Sequence, residues 1–317
     1  MSRTDDDTWD ITESVGATAL SVARARAVET DAERPLYTDP YAHFFVETAV
    51  EAGWRSPYLD EDPVRAQAMA AYIASRTKFF DDFFTTAGAN GVDQAVILAA
   101  GLDTRAWRLP WIDATTVYEI DQPKVLEFKE RVLADHRARP AARYAAVAVD
   151  LRHDWPKALR QAGFDPSTPT AWSAEGLLPY LPAAAQDALF EQIDTLSARG
   201  SHLSVEAFGE VFYSAEQLAR RQERMAEARR AAAEAGGPEL PDVTRLWYME
   251  ARTDVAHWLT ERGWEVSAIA AVDLMAHYQR PAPDGLEDPV PDTVLIDAIE
   301  TVTAMVEFQI ATDDTED

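Results

Sequence analysis

Gly101, Asp103, Asp121, Asp150 and Glu175 each stand at or just past the end of a short apolar run. A glycine there permits a tight turn and close approach of a ligand to the backbone. Asp121 lies 20 positions after Gly101, a spacing at which a carboxylate can accept both ribose hydroxyls of a bound nucleoside. Asp150 can accept an adenine amino hydrogen while the N–H of Leu151 meets a ring nitrogen. Singly, each residue has a plainer reading, since a glycine after a strand also makes an ordinary turn and an aspartate there also caps a helix. Four successive runs ending in a carboxylate or a glycine form a stronger pattern than any one of them.

The glycine count separates the candidate cofactors. A dinucleotide fingerprint uses three glycines so that a pyrophosphate can rest on a helix N-terminus. The turn Ala99-Ala100-Gly101-Leu102-Asp103 has one glycine and an added carboxylate. That negative charge repels pyrophosphate and suits a ligand with an adenosine, a cationic centre and an ammonium group. S-adenosylmethionine is such a ligand, and NAD and FAD are disfavoured. The alternatives are a nicotinamide-dependent reductase and a catalytically silent cofactor-binding or scaffold protein.

These residues need strands to carry them. Runs at Gln94–Ala100, Thr115–Ile120, Tyr144–Val149, Thr168–Ser173 and His202–Ala207 are strand-length and mostly apolar, as expected where both sheet faces are covered. Helical patterns fall between them at 123–136, 155–161 and 183–198. The alternation predicts an α/β fold with a doubly wound, mostly parallel sheet, whose ligands bind beyond the strand carboxyl ends. Residues 1–92 read as an N-terminal helical cover, and 93–317 as the cofactor-binding α/β domain. Within the cover, Ser14 is the expected N-cap of a helix over 17–29. Met69, Tyr72, Ile73, Phe79, Phe80 and Phe83 form the apolar face of a long helix from Pro63 to Thr86. Asp60-Glu61-Asp62 marks its start. The Ala-, Arg- and Glu-rich stretch from 211 is read as a helical insertion reaching about 250. A helix at 253–262 leads to a sixth strand at 264–270, a Pro-rich loop, and a last strand at Met305–Ala311.

The segments 98–111 (LAAGLDTRAWRLPW), 117–123 (VYEIDQP), 149–172 and 174–182 (AEGLLPYLP) resemble actinobacterial S-adenosylmethionine-dependent methyltransferases related to the leucine carboxyl methyltransferases. Segments 14–30 and 75–84 resemble that family's helical lead-in. The resemblance is dense over 9–209 and loose through 258–266. It implies a class I methyltransferase fold, an enzyme, and S-adenosyl-L-methionine as cofactor. Carried over, Arg76 binds the carboxylate of the methionine moiety, and its guanidinium is well suited to that fork-shaped contact. Gly101 lines the cofactor turn, Asp121 holds the ribose, Asp150 and Leu151 hold the adenine, and Glu175 sits at the methionine or reacting end. The family's turn is often Gly-Ala-Gly, and Ala99 stands at the first of those positions.

The 317 residues hold 29 basic and 55 acidic side chains and no cysteine. Absence of cysteine excludes disulfides, thiolate metal sites and cysteine nucleophiles. The net charge of −26 disfavours nucleic acid and anionic lipid as partners. No run is long and apolar enough to span a bilayer, and residues 1–13 lack the apolar core of a signal peptide, so a cytoplasmic location is expected. The six histidines have no metal-ligand spacing, and no metal is expected. With no obvious histidine base, O-methylation of a small-molecule carboxylate is favoured over that of a hydroxyl, because a carboxylate is already ionised. Glu175 and Tyr180 are the candidate catalytic residues. Glu206 and the Phe79, Phe80 and Phe83 aromatics are further candidates to face the acceptor, whose specificity is expected from the insertion with Trp247 and Tyr248.

Overall fold

The computed structural model describes residues 14–54, 63–234, 246–286, 288 and 290–301. The described residues begin with three helices: α1 (Ser14–Thr30), α2 (Ala42–Glu51) and α3 (Pro63–Ala89). Ser14 is already helical, so it is the first residue of α1 and not the residue before it. Past α3, Gly91 takes φ +88° and Val92 N–H returns to the Ala87 carbonyl at 3.0 Å, a glycine-assisted helix end.

The alternation then follows the sequence pattern. It runs β1 (Gln94–Leu98), the single turn α4 (Arg105–Arg108), β2 (Thr116–Asp121), α5 (Pro123–Asp135), β3 (Arg143–Ala148) and α6 (Trp155–Gln161). It continues through β4 (Thr170–Ala174), α7 (Ala183–Leu196) and β5 (His202–Phe208). Local chemistry sets several starts. Pro123 takes the first turn of α5, where a missing N–H is harmless. Asp154 caps α6 by accepting from Lys157 N–H at 3.2 Å.

The remaining elements are α8 (Ala215–Glu234), α9 (Val255–Glu261), β6 (Trp264–Ala270), α10 (Ala271–His277) and β7 (Thr293–Glu300). The last two correct the sequence reading, which left this stretch as a loop. Asp297 interrupts the apolar run of β7, and prolines crowd its approach, so the strand does not stand out in isolation. The strand expected at 305–311 lies outside the described residues, as do the acidic triplet 60–62 and residues 1–13.

The seven strands lie in the order β3-β2-β1-β4-β5-β7-β6. β7 is antiparallel to both its neighbours, and the β3-to-β5 part is parallel. This is a class I methyltransferase-like sheet. β1, β2 and β4 are buried along almost their whole length. β3, at the edge, departs from the all-apolar expectation and buries only Val147. Helices α1 to α3 share a core with the sheet and α5 through Leu20, Phe45 and Phe84 together with Ile97, Val117 and Phe128. On the other face Trp172, Phe190 and Trp258 belong to a second cluster.

Register is what aligns the chemistry. Leu98 pairs with both Ile120 and Ala174, and Ala174 pairs with Val205. The next residues along these strands, Ala99, Asp121, Glu175 and Glu206, therefore emerge at one level at the carboxyl edge.

Candidate active site

That edge floors a cavity of about 1350 Å³. Arg76, Gly101, Asp103, Asp121, Asp150 and Leu151 line it, with Glu175 and Tyr180 further round the wall. All eight residues singled out in the sequence therefore face one space. None of the six histidines lines it. His202 sits at the opening of β5 against the ring of Phe83, 6.4 Å between centroids. Among the described residues no group of acidic or histidine side chains has a metal-binding arrangement.

The turn after β1 is built from two left-handed residues, Ala99 at φ +50° and Gly101 at φ +51°. The strain of that conformation falls on Ala99, where the family often has glycine. Asp121 fastens the turn: its Oδ2 accepts Gly101 N–H at 2.6 Å and its Oδ1 accepts Gln122 N–H at 2.6 Å. Burial pushes its carboxyl above the ordinary aspartate value, against the pull of those two N–H groups. Asp150 accepts from Arg152 at 2.8 Å and from Gln122 Nε2 at 3.1 Å. A neighbouring ligand must therefore share it with them. The Leu151 N–H makes no hydrogen bond among the described residues.

A chain of ion pairs closes the far end. Arg76 Nε donates to Glu175 Oε1 at 2.9 Å, and its Nη1 donates to Glu206 Oε2 at 3.0 Å. Tyr72 hydroxyl donates to Glu206 Oε1, and Gly176 N–H donates to Glu206 Oε2 at 2.7 Å. Arg105 is the hub: it meets Glu175 at 2.8 Å, Asp81 at 2.7 Å, and Asp103. Arg108 also pairs with Asp81, and Arg26 pairs with Asp39 at 2.8 Å. Burial opposes ionisation of Glu175, but Arg105 and Arg76 hold its carboxyl below the usual range. Asp103 behaves likewise beside Arg105. Burial and then Glu206 push the Tyr72 phenol well above its ordinary value, so it keeps its proton.

This arrangement amends the reading of Asp103 as a free negative charge, because Arg105 compensates it. Sequence reasoning also missed Arg105, although it lies within the quoted LDTRAWR segment; besides its neighbour Asp103, its partners are Asp81 on α3 and Glu175 just past β4, far off in sequence. Tyr72 was read as apolar helix face and turns out to serve Glu206. Phe79, Phe80 and Phe83 do not line the cavity. Phe80 lies in the core beneath the Arg105 guanidinium, 5.6 Å to the ring. Trp247 does line it, whereas Tyr248 ties the segment down through its N–H to the Pro179 carbonyl at 2.8 Å.

Two features fit S-adenosylmethionine. Arg76 is 8% exposed and lines the cavity, yet its Nη2 makes no hydrogen bond among the described residues. That leaves a donor for a carboxylate. The connected network of Asp39, Asp81, Asp103, Glu175 and Glu206 with Arg26, Arg76, Arg105 and Arg108 holds one more carboxylate than guanidinium. S-adenosylmethionine, with two cationic centres and one carboxylate, carries the single positive charge that balances it.

Comparison with known proteins agrees. A family model described as leucine carboxyl methyltransferase matches residues 19–194. A Mycobacterium avium protein named "Putative S-adenosyl-L-methionine-dependent methyltransferase" is 52% identical over 309 residues, covering 94% of this chain and 98% of the relative. A Mycobacterium marinum protein of the same name is 51% identical over 310 residues, 94% and 99% of the two chains. A crystal structure of a DUF574 family protein from Streptomyces avermitilis aligns at TM-score 0.49 and 15% identity, over 88% of this chain and 96% of that one. The matched model and these full-length relatives place the chain in the leucine carboxyl methyltransferase family, as an S-adenosylmethionine-dependent methyltransferase.

Proposed function

We propose that the protein O-methylates a small-molecule carboxylate. The observation that carries this is the state of the groups at the closed end of the cavity. Glu175 and Glu206 are both held in ion pairs with Arg76, and Glu175 also with Arg105. Tyr72 is a proton donor to Glu206 and holds its proton. The lining has no histidine, and none of these groups at the closed end is free to deprotonate an alcohol. An acceptor that arrives ionised needs no base.

S-adenosylmethionine, when bound, supplies a methyl group on a sulfonium. The residues that would hold it are Arg76 for its carboxylate, Asp103 and Glu175 for its cationic end, Asp121 for the ribose, and Asp150 with Leu151 for the adenine. The Gly101 turn would approach it by backbone. Tyr180, on the 3-10 turn Leu178–Tyr180, has a hydroxyl without a partner among the described residues and faces the same space. We assign it to acceptor positioning. The enclosing helices serve to exclude water and align the reactants. Among the described residues no helix is long and apolar enough to cross a membrane; the charge of −26 disfavours nucleic acid and anionic membranes as partners.

A carboxylate acceptor has a distinctive readout. The product is a methyl ester, which alkali cleaves to methanol, whereas a methyl ether survives. The rate should be flat with pH above about 6, where carboxylates are already ionised. A base-stable product, or a rate climbing through the phenol range, refutes the carboxylate reading. Separately, Asp121→Ala should weaken S-adenosylmethionine binding by about 1–3 kcal/mol in calorimetry, through loss of a buried hydrogen-bonding carboxylate. Unchanged affinity would remove Asp121 from the ribose site.

A further inference from the structure

The arginines of the buried network each have a carboxylate within about 3 Å: Arg26 with Asp39, Arg76 with Glu206, Arg105 and Arg108 with Asp81. Arg221 on α8 does not. It also lines the cavity, but its Nη1 donates only to the Phe212 carbonyl, at 3.1 Å. Its guanidinium otherwise rests on ring faces, 3.9 Å from the Phe212 centroid and 5.7 Å from that of Trp247. No carboxylate lies within ion-pair distance among the described residues. Asp288 and Asp292 act on it only from beyond that distance, and Asp288 already accepts from Arg220 at 3.0 Å and Gln217 at 2.8 Å.

We infer that Arg221 is the specificity-determining residue for the acceptor, anchoring an anionic group carried on a bulky apolar body. The helical spacing of α8 supports this. Gln217, Arg221, Arg224 and Met225 recur at the spacing of one helix face and all line the cavity, as does Glu227 a turn further on, while Glu216 and Glu223 do not. In a chain with 55 acidic side chains, the insertion thus turns arginines inward. A half-buried cation without a counter-ion in direct contact is costly, and that penalty is relieved when an anion arrives. Burial, with Arg224 beside it, lowers the guanidinium to about 10, which still leaves it charged at neutral pH. One wall beside it is aromatic: the ring centroids of Phe208 and Phe212 lie 4.4 Å apart and those of Phe212 and Trp247 5.5 Å, and Val290 lines the same cavity. The cavity of about 1350 Å³ exceeds the roughly 300–1,000 Å³ of single-ligand pockets, so it has room for a large body beside a cofactor. That the anchored anion is a carboxylate rests on the function proposed above.

The test is calorimetric binding to the full-length protein loaded with S-adenosylhomocysteine, so that turnover plays no part. The probes are 2-naphthoate and decanoate, their neutral amides and alcohols, and acetate as an anion without a body. The two large carboxylates should bind the wild type, with acetate and the neutral analogues about tenfold weaker or more, the usual scale of a lost charge-assisted contact. Arg221→Gln should lose that factor for the carboxylates alone and keep its affinity for S-adenosylhomocysteine. Arg221→Lys, which keeps the charge but not the stacked fork, should fall between. Equal binding of the carboxylates to wild type and Arg221→Gln overturns the anchor while leaving a carboxylate acceptor intact. Tight binding of alcohols with no binding of carboxylates overturns both readings. Acetate binding as well as decanoate overturns the apolar body.

Discussion

Arg105→Ala is expected to destabilise the protein by about 3–5 kcal/mol, the effect of removing one partner from a buried ion pair. That is a large share of the roughly 5–15 kcal/mol that holds a folded domain together. Arg105 is 2% exposed and alone joins Asp81, Asp103 and Glu175. Its loss leaves Asp103 buried with no cation in direct contact among the described residues. Chemical denaturation gives the stability, and the pH dependence identifies the cause. In the wild type, Asp103 and Glu175 are held below the usual carboxylate range, so their contribution is present above that range and is lost as pH falls. Without Arg105, burial of Asp103 is opposed only by the more distant Lys129, Arg26 and Arg108, so its carboxyl rises. The variant should therefore recover stability relative to wild type on acidification. A deficit that stays constant with pH would mean that packing against Phe80, and not charge, is what Arg105 supplies. Arg105→Lys should recover only part, because one ammonium cannot span three carboxylates.

Lys129→Met should be comparably damaging, at about 3–5 kcal/mol. Its ammonium is fully buried, 2.5 Å from Glu119 Oε2 and 5.1 Å above the Trp107 ring. Replacing both partners, Glu119→Leu with Lys129→Met, should return the protein to within about 1–2 kcal/mol of wild type, since apolar pairs replace buried ion pairs well. A double variant as unstable as the single one would show that the pair is worth its desolvation. Burial pushes Glu119 up to about 7, against the pull of Lys129. A raised acid stabilises the fold most below its ordinary value near ~4.3 and progressively less as pH climbs through 7. Glu119→Gln should abolish that decline.

The parallel strands were legible because both of their faces are covered, so β1, β2 and β4 read as apolar runs without help from context. The candidate cofactor residues were legible for a related reason. In such a sheet the chemistry stands just past each strand, which points directly to Asp121, Asp150 and Glu175. Charge pairing was not legible. Arg105 and Glu175 are 70 residues apart in sequence, and Arg76 and Glu206 are 130 apart. Asp81, placed beside Asp82 on α3, resembles any solvated helix carboxylate, yet it is 5% exposed. Nothing local distinguishes the two; only the approach of Arg105 and Arg108 does. Arg221 was hidden in the same way, among five arginines of a strongly charged helix.

The strand order carries a consequence for how the molecule is made. β6 pairs in the sheet with β7 alone, and β7 is the last described strand. During synthesis β6 must therefore wait, without a partner strand, for one that begins 23 positions after it ends. Thr293, at the start of β7, donates to Tyr72 from 221 positions away, so the same late insertion completes the support of Glu206. Pairing over such separations is slow and exposes edges meanwhile. A ribosome-bound chain halted before residue 293 would hold the glycine turn and Asp121 but lack the finished far wall.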